Sequence, residues 1–171
     1  EWQRQSQKHR LNLFTMNQRE GLHTLATMAD SITFDSLDDY TRWVERLETF
    51  GVYADSEIAV LSEAIEKKRV QPRIIVERML EAVRLQPALH QDPEKNPFYA
   101  PFAGAGEEWT SQPEFRTLQG RAKKAITTQV GPAFVRLTEF LEGPYLEAAP
   151  EQIGLGRLPG GEEAYAFLIA R

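Results

Sequence analysis

Histidines with nearby carboxylates are the first candidates for metal chemistry, and this sequence has 3 histidines, His9, His23 and His90. Only His23 has a carboxylate at a metal-like spacing, because Glu20 precedes it in a Glu-x-x-His pair. Di-iron helical bundles use two such pairs and two further carboxylates. A single pair with a glycine inside it makes Glu20 and His23 weak metal candidates. The alternative is an acid at a helix entry and a partly buried histidine.

The patterns that identify self-contained hydrolases are absent from the sequence. There is no Gly-x-Ser-x-Gly elbow, no His-Glu-x-x-His zinc motif and no cysteine. Adjacent carboxylates diverge by about 100° on a helix and cannot face one proton, so we expect them to be solvated or to complement helix N-termini. We expect the basic clusters to form solvated helix faces; the alternative is a phosphate-binding site. These pairs and clusters are Asp38-Asp39, Glu107-Glu108, Glu162-Glu163, Lys67-Lys68-Arg69 and Arg121-Ala122-Lys123-Lys124.

The sequence Leu158-Pro159-Gly160-Gly161 is a stronger candidate for a contact with another molecule. Two successive glycines let a backbone approach another surface closely and expose N–H groups just before a helix. Gly160 and Gly161 are therefore our candidates for contact with a substrate or a neighbouring domain. The alternative is a tight turn that only starts the next helix. The segment lacks the Lys-Ser/Thr and the preceding strand of a nucleotide-binding loop.

Apolar residues recur at intervals of three and four along most of the chain, which indicates helices rather than strands. Ser36 with Asp39 three residues later predicts a helix start, and Pro72 suits the first turn of another helix. Gly51 is expected to separate two helices. The sequence therefore predicts an all-α fold of about six or seven helices in an irregular bundle.

The longest helix is predicted to begin near Pro113. Pro132 is expected to kink it, and Gly143-Pro144 to end it. Its apolar stripe contains Phe115, Leu118, Ala122, Ala125, Ile126, Val130, Phe134, Leu137 and Leu141.

We expect one domain made of three segments. Residues 1–85 are predicted to form helical hairpins and residues 86–112 a Pro/Gly-rich irregular connection. Residues 113–171 are predicted to hold the long helix, the Leu-Pro-Gly-Gly turn and a final helix cut short by the end of the chain. A connection of that length is uncommon unless it lines a site or bridges two parts. We expect it to pack through its aromatic residues, Phe98, Tyr99 and Phe102.

Composition excludes several classes of protein. At 171 residues with 42% hydrophobic residues, the chain is long and apolar enough to bury a core. A net charge of −5 argues against a nucleic-acid partner, which requires clustered basic residues. No apolar run reaches the roughly 18 residues of a membrane span, and no signal peptide is visible. The chain opens at Glu1 rather than Met, so we expect its native start to lie upstream.

Several short phrases occur in series along nearly the whole chain. Each is weak alone, but their order and spacing are similar to those in the N-terminal half of a bacterial family, the domain of unknown function 885. The phrases are Asn17-Gln18-Arg19-Glu20-Gly21-Leu22-His23, Ser36-Leu37-Asp38-Asp39-Tyr40 with Trp43 and Leu47, Gln71-Pro72-Arg73 before Val76, Asn96-Pro97-Phe98, and Ile153-Gly154-Leu155 with Leu158-Pro159-Gly160-Gly161 and Tyr165.

The resemblance implies a large, mostly helical, zinc-dependent peptidase. The family's presumed zinc motif, a His-Glu followed by a Pro-Gly-His-His, lies well beyond the Leu-Pro-Gly-Gly segment, so it implies that the zinc ligands and general base follow Arg171. This chain would then hold no cofactor itself, and zinc would belong to the full-length parent. The implied partners are the C-terminal half of that parent and a peptide substrate. A periplasmic or exported location, in some relatives with a lipid anchor, is favoured, and a cytoplasmic one stays open.

The resemblance also implies a division of labour. The N-terminal helices would form one wall of a substrate channel, where the Gly160-Gly161 backbone and Tyr165 contact the bound peptide or steady the developing oxyanion. Ala166 departs from the family pattern, because many relatives have a second tyrosine there. A paired-aromatic site is therefore left open.

Two other interpretations remain. The chain is either a standalone helical interaction module without enzymatic activity or a metal-binding bundle built on Glu20 and His23. A reading frame that continues past Arg171 into a His-Glu motif separates the first of these from the peptidase, and metal measured on the purified chain tests the second. The end at Arg171 inside a helical pattern favours a longer parent, whose fragment would expose apolar surface and self-associate.

Overall fold

The computed structural model describes residue 8, residues 11–85 and residues 91–170, without the side chains of residues 27–30. Across these ranges the chain forms helices and no strand, which confirms the predicted all-α irregular bundle. No helix in the described ranges combines the length and apolar character that crossing a membrane requires. The longer helices, α1 to α6, are Leu37–Glu48, Phe50–Glu66, Arg73–Val83, Pro113–Ala125, Gly131–Phe140 and Gly161–Ile169.

Helices α1 and α2 follow each other with a single residue between them. The Ser36 hydroxyl oxygen accepts the Asp39 N–H at 3.3 Å while the Asp39 carboxylate accepts the Ser36 N–H at 2.9 Å. This reciprocal capping confirms the predicted helix start. The break falls at Thr49, however, and Gly51 lies buried in the first turn of α2. A Cβ at Gly51 would lie 2.9 Å from the Gln129 side-chain oxygen, so this glycine permits close packing instead of ending a helix.

A tight turn joins α2 to α3. Lys68 has a φ of 55°, in the left-handed region that residues with a side chain seldom adopt. Pro72 is the residue that precedes α3, one position before the predicted first turn. The predicted apolar face of α3 is buried through Val76, Met79, Leu80 and Val83.

The longest helical run begins at Pro113, as predicted. The disturbance expected at Pro132 takes the form of a π-helical turn, Ile126–Val130, just before the proline. A widened turn accommodates a proline because proline has no N–H to donate to the preceding turn. Every residue of the predicted stripe is buried: Phe115, Leu118, Ala122, Ala125, Ile126, Val130, Phe134, Leu137 and Leu141.

The regular helix breaks at Gly143, as predicted, and a new helical segment follows directly. Gly143 has φ −92° and ψ −109°, which bends the chain inside a second π-helical turn, Leu141–Tyr145. The helix then resumes as Leu146–Ala148. The bend places Pro144 in a new turn, where its missing N–H breaks no regular helical bond.

Aromatic side chains fill the space between α1, α2, α4, α5 and the connection before α4. The ring centroids of Tyr40 and Phe115 lie 4.9 Å apart in an edge-on arrangement, and Trp43 Nε1 donates to the Phe98 carbonyl at 2.9 Å. Such aromatic pairs stabilise a core by about 0.5–1.5 kcal/mol beyond their buried area. We call this group the aromatic core: Tyr40, Trp43, Phe50, Phe98, Phe102, Phe115 and Phe134, each at most 5% exposed.

The predicted connection packs through Phe98, Tyr99 and Phe102, as expected, since all three are buried. It is less irregular than predicted. Residues 86–90 lie outside the described ranges, and the rest contains three short helical turns, Pro97–Tyr99, Ala100–Ala103 and Glu107–Thr110.

The three pairs of adjacent carboxylates all lie in the first turns of helices, where the helix dipole favours negative charge. Asp38-Asp39 begins α1, Glu107-Glu108 begins the short helix Glu107–Thr110, and Glu162-Glu163 begins α6. The expectation that they complement helix N-termini is therefore confirmed.

The carboxyl-terminal arm, residues 149–170, runs through the turn Leu155–Arg157 into α6. Helix α6 packs mainly against that turn. Its Ala164 is buried, whereas Tyr165, Leu168 and Ile169 are 56%, 38% and 67% exposed. The arm thus presents an apolar face of α6 that the rest of the described chain does not cover.

Candidate functional site

A groove of about 610 Å³ lies between the start of α3 and the carboxyl-terminal arm. Its apolar lining comes from Phe14, Ile74, Ile75, Ile153, Leu155 and Leu158. Apolar pockets of roughly 300–1,000 Å³ with a few polar groups are typical of ligand sites. Because the arm supplies one side of the lining, whatever positions the arm also shapes the groove.

The first residue of α3 holds the arm at one end of the groove. The Arg73 backbone N–H donates to the Pro150 carbonyl at 2.9 Å, and the Arg73 side chain forms an ion pair with Glu151 at 2.5 Å. Beyond this contact, Gly154 turns the chain with a φ of 104°, which favours glycine. The segment between these anchors forms the side of the groove opposite α3.

Gln71 joins the groove to the interior. Its side-chain amide donates to the Met16 carbonyl at 3.0 Å, and its backbone N–H donates to the Tyr145 hydroxyl oxygen at 3.4 Å. Burial raises the pKa of Tyr145 to about 12, an effect that the Gln71 N–H opposes. Tyr145 therefore stays protonated at neutral pH and serves as an uncharged buried acceptor. Sequence reasoning did not predict the contact between Gln71 and Tyr145, which joins two distant parts of the chain.

The Leu-Pro-Gly-Gly segment forms the predicted tight turn before α6. Gly160 is exposed and has a left-handed φ of 65°. Gly161 is buried, and its N–H donates to the Leu158 carbonyl at 2.8 Å. A Cβ at Gly161 would overlap the Leu155 carbonyl oxygen and lie 2.7 Å from its carbonyl carbon. The second glycine thus permits a close approach between two backbone segments of the same arm.

Arg69 anchors this turn to the helical bundle. Its guanidinium donates a hydrogen bond to the Pro159 carbonyl, although the two residues are 90 positions apart. The prediction that Lys67, Lys68 and Arg69 form a solvated face is correct for the two lysines and wrong for Arg69, which is buried. The left-handed turn at Lys68 redirects the chain, so Arg69 leaves the helix face that the periodicity predicts.

The remaining predicted contact residue, Tyr165, lies on the exposed face of α6. Of the predicted segment 158–165, Leu158 lines the groove, whereas Gly160, Gly161 and Tyr165 lie on the same arm outside its lining. Ala166, the departure from the family pattern, is exposed beside Tyr165.

The two weak metal candidates take up different environments. Glu20 lies in a turn, where its carboxylate accepts the Asn17 side-chain amide at 3.1 Å, and His23 lies in the first turn of the 3-10 helix Leu22–Ser31. The helical spacing behind the predicted pair is therefore not formed. Within the described ranges, no group of three or more His, Cys, Asp or Glu side chains is placed to hold a metal. His9 and His90 lie outside those ranges.

His23 is buried, and neither of its ring nitrogens has a hydrogen-bond partner in the described chain. Burial lowers the pKa of His23, an effect that the nearby Gln18 backbone partly opposes. The imidazole is therefore neutral at pH 7. Its charged form would be desolvated with only partial compensation from that backbone.

Comparison with known proteins gives a family and no individual relative. The family model described as "Bacterial protein of unknown function (DUF885)" matches residues 1–171. No curated protein and no solved structure matches the chain. The chain therefore belongs to the DUF885 family, which is the family that its sequence phrases indicated.

Proposed function

We propose that this member of the DUF885 family forms one wall of a substrate channel in a zinc-dependent peptidase and supplies binding contacts rather than catalytic groups. The groove between α3 and the arm is the observation that carries the proposal. It has the volume and the apolar walls of a ligand site, and two polar contacts of Arg73 hold the arm against α3. A peptide side chain that enters such a groove would bury apolar surface away from water, which favours binding.

The contacts to the peptide are assigned to Gly160 and Tyr165. Both are exposed on the arm, next to the segment that lines the groove. A glycine without a Cβ lets a peptide backbone approach closely, and a tyrosine offers a broad apolar ring with a polar tip. Gly161 is assigned to the shape of the turn, because its N–H and its Cα face already contact the arm itself.

Zinc ligation is not assigned to this chain. Its described residues do not assemble three ligating side chains, so they do not fit the metal centre that the resemblance implies. The zinc ligands would instead belong to the family's zinc motif, which lies further along the sequence. This chain's own residues would bind and orient the peptide.

The proposal is tested by peptide cleavage in the full-length parent. We expect Tyr165→Ala to lower kcat/KM by about tenfold, the effect of losing about 1.4 kcal/mol of transition-state binding. Tyr53→Ala is the matched control, because Tyr53 is 49% exposed on α2. Gly160→Ala is expected to lower kcat/KM as well, since φ of 65° disfavours alanine. Unchanged kinetics in both arm variants, with unchanged folding, would rule out the proposed contacts.

The second candidate function is a helical interaction module without enzymatic activity. The observation that favours it is the uncovered apolar face of α6, formed by Tyr165, Leu168 and Ile169. In that case the chain would self-associate or bind a protein partner through this face. Sedimentation velocity measures this association in the unchanged chain and in the double variant Leu168→Glu, Ile169→Glu. A complex lost in the double variant, together with a parent that cleaves no peptide, would favour the module.

A further inference from the structure

The groove between α3 and the arm carries a distinctive charge pattern. Arg78 is the charged side chain in its lining, and Gln71 and Gln152 are the amides. No aspartate or glutamate of the described chain belongs to that lining. The groove therefore combines apolar walls with a cation and with polar groups that bear no charge.

Arg78 lies on α3 one turn after Ile74. The aliphatic part of its side chain and the Ile74 side chain therefore lie on the same helix face. It is exposed, and it forms no ion pair with a carboxylate of the described chain. Arg73, at the other end of the groove, is different because Glu151 neutralises it. One guanidinium is thus available for an anion that enters with an apolar group.

We propose that this groove binds the carboxyl terminus of a peptide whose last residue is large and apolar, with Arg78 binding the terminal carboxylate. The apolar side chain would lie between Ile74 and Ile153, and the guanidinium would donate two parallel hydrogen bonds to the carboxylate oxygens. This inference names the substrate class of the proposed peptidase and to that extent rests on the proposed function.

The charge of the site favours a carboxylate over other anions. A phosphate dianion or a nucleic acid requires several cations, whereas this groove offers one in a chain of net charge −5. The volume of about 610 Å³ admits more than a single inorganic anion and is mostly apolar in its walls. A free peptide end with an apolar side chain satisfies both features.

The test is a binding titration of the 171-residue chain followed by fluorescence anisotropy. The probe is fluorescein-Gly-Gly-Leu-Phe with a free carboxylate, and its control is the same peptide with a carboxamide end. We expect the free acid to bind about 1.5- to fivefold more tightly, which is the range for an exposed ion pair. Arg78→Gln should abolish this difference. Lys124→Gln removes an exposed cation from α4, outside the groove, and should leave it unchanged.

A second pair of measurements tests the apolar part. Ile153→Ser, at a side chain that is 71% exposed, should weaken both peptides by a similar factor without unfolding the chain. Sodium laurate, a carboxylate without a peptide, should displace the probe less effectively than unlabelled Gly-Gly-Leu-Phe. Equal binding of acid and amide by the unchanged chain, or equal displacement by laurate, would overturn the inference.

The outcome is separable from that of the proposed function, because binding by this chain requires no cleavage. Specific binding of the free acid with an inactive parent would leave the carboxylate site standing and remove the peptidase. If the parent cleaves peptides but the isolated chain shows no preference for the free acid, the peptidase stands and the carboxylate site is removed. If Arg78→Gln failed to fold, the acid–amide comparison on the unchanged chain would decide alone.

Discussion

The aromatic core and the carboxyl-terminal arm are held in place by different kinds of contact. In the core, side chains such as Phe115 and Phe134 are fully enclosed and touch other rings from several helices. In the arm, α6 packs mainly on the turn beside it. The arm is tied to the bundle by the contacts of Arg69 with Pro159 and of Arg73 with Pro150 and Glu151.

This difference separates stability from function in the chain. Enclosed apolar volume sets the free energy of global unfolding, whereas a few polar contacts set the position of the arm. Segments with few buried apolar contacts open locally at low free energy. The groove lies where the firm region meets the adjustable one, so the arm can change the groove without unfolding the core.

The largest expected effect comes from the core. Phe115→Ala should lower the free energy of unfolding by about 3–5 kcal/mol, because it removes a buried ring and leaves a cavity. Leu168→Ala on the exposed face of α6 should change it by less than about 1 kcal/mol. Urea denaturation followed by circular dichroism measures both. Similar losses in the two variants would break the distinction between core and arm.

The next effect concerns the close backbone approach in the arm. Gly161→Ala should cost about 1–3 kcal/mol of local stability, because the new methyl group overlaps the Leu155 carbonyl and the turn must shift. Hydrogen exchange should rise in residues 155–169 and not in α1. Gly120→Ala is the matched control, since a Cβ there meets nothing within 4 Å, and alanine should stabilise α4 by about 0.5–1 kcal/mol. Exchange that rises equally in α1 would show that the arm and the core open together.

A smaller local effect is expected from the arginine anchor. Arg69→Met keeps much of the side-chain length but removes the hydrogen bond to the Pro159 carbonyl. Because Pro159 is exposed and its carbonyl can bind water instead, this should destabilise the arm by about 0.5–1.5 kcal/mol. Lys67→Met controls for the loss of charge, because Lys67 lies two residues before Arg69 and is exposed. Hydrogen exchange of the Pro159–Gly161 region is the measurement. If Lys67→Met had the same effect, general electrostatics rather than the anchor would hold the arm.

The smallest effect is a pH dependence of the free energy of unfolding that comes from His23, on the amino-terminal side of the bundle. Because burial lowers the pKa of His23, the unfolded chain binds its proton more tightly than the folded chain does. The stability that neutral His23 contributes is therefore present above pH 6.5 and is lost as the pH falls below that value. Unfolding free energies at pH 7.5 and pH 5.5 should differ more in the unchanged chain than in His23→Gln. Equal pH dependence in both would exclude His23 as its source.

Two carboxylates change the free energy of unfolding in a separate, lower pH range. The Ser36 hydroxyl lowers the pKa of Asp39, and the Arg121 guanidinium lowers that of Glu48. Their contribution is present above the unfolded pKa and is lost as the pH falls through the lowered one. A titration between pH 7.5 and pH 5.5 therefore reports on His23 rather than on these acids.

Local sequence signals predicted the firm part of the molecule well. The capping pair Ser36 and Asp39 acts over three residues, and the stripe from Phe115 to Leu141 repeats with the period of one helix. Both depend only on neighbours along the chain. The helical segment that resumes directly after Gly143 was not predictable in that way, because a Gly-Pro pair is compatible with either a loop or a new helical turn.

The groove required information that no local pattern contains. Arg69 reaches Pro159 across 90 positions, and Tyr145 receives the Gln71 N–H across 74. The glycine pair did indicate a close approach, but Gly161 approaches Leu155 of its own arm. Which surface a glycine meets is decided by tertiary packing, and the sequence alone leaves it open.

Photo-crosslinking tests most directly whether the groove beside the arm, and not the surface of the core, binds peptide. The probe is Gly-Gly-Leu followed by a carboxyl-terminal p-benzoylphenylalanine, irradiated with the folded chain and mapped by mass spectrometry. We predict adducts at the start of α3 and in the arm, at Ile74, Ile153 and Leu155, and their loss when unlabelled Gly-Gly-Leu-Phe competes. Adducts concentrated around the exposed Tyr53 of α2, or scattered over the surface without competition, would contradict this.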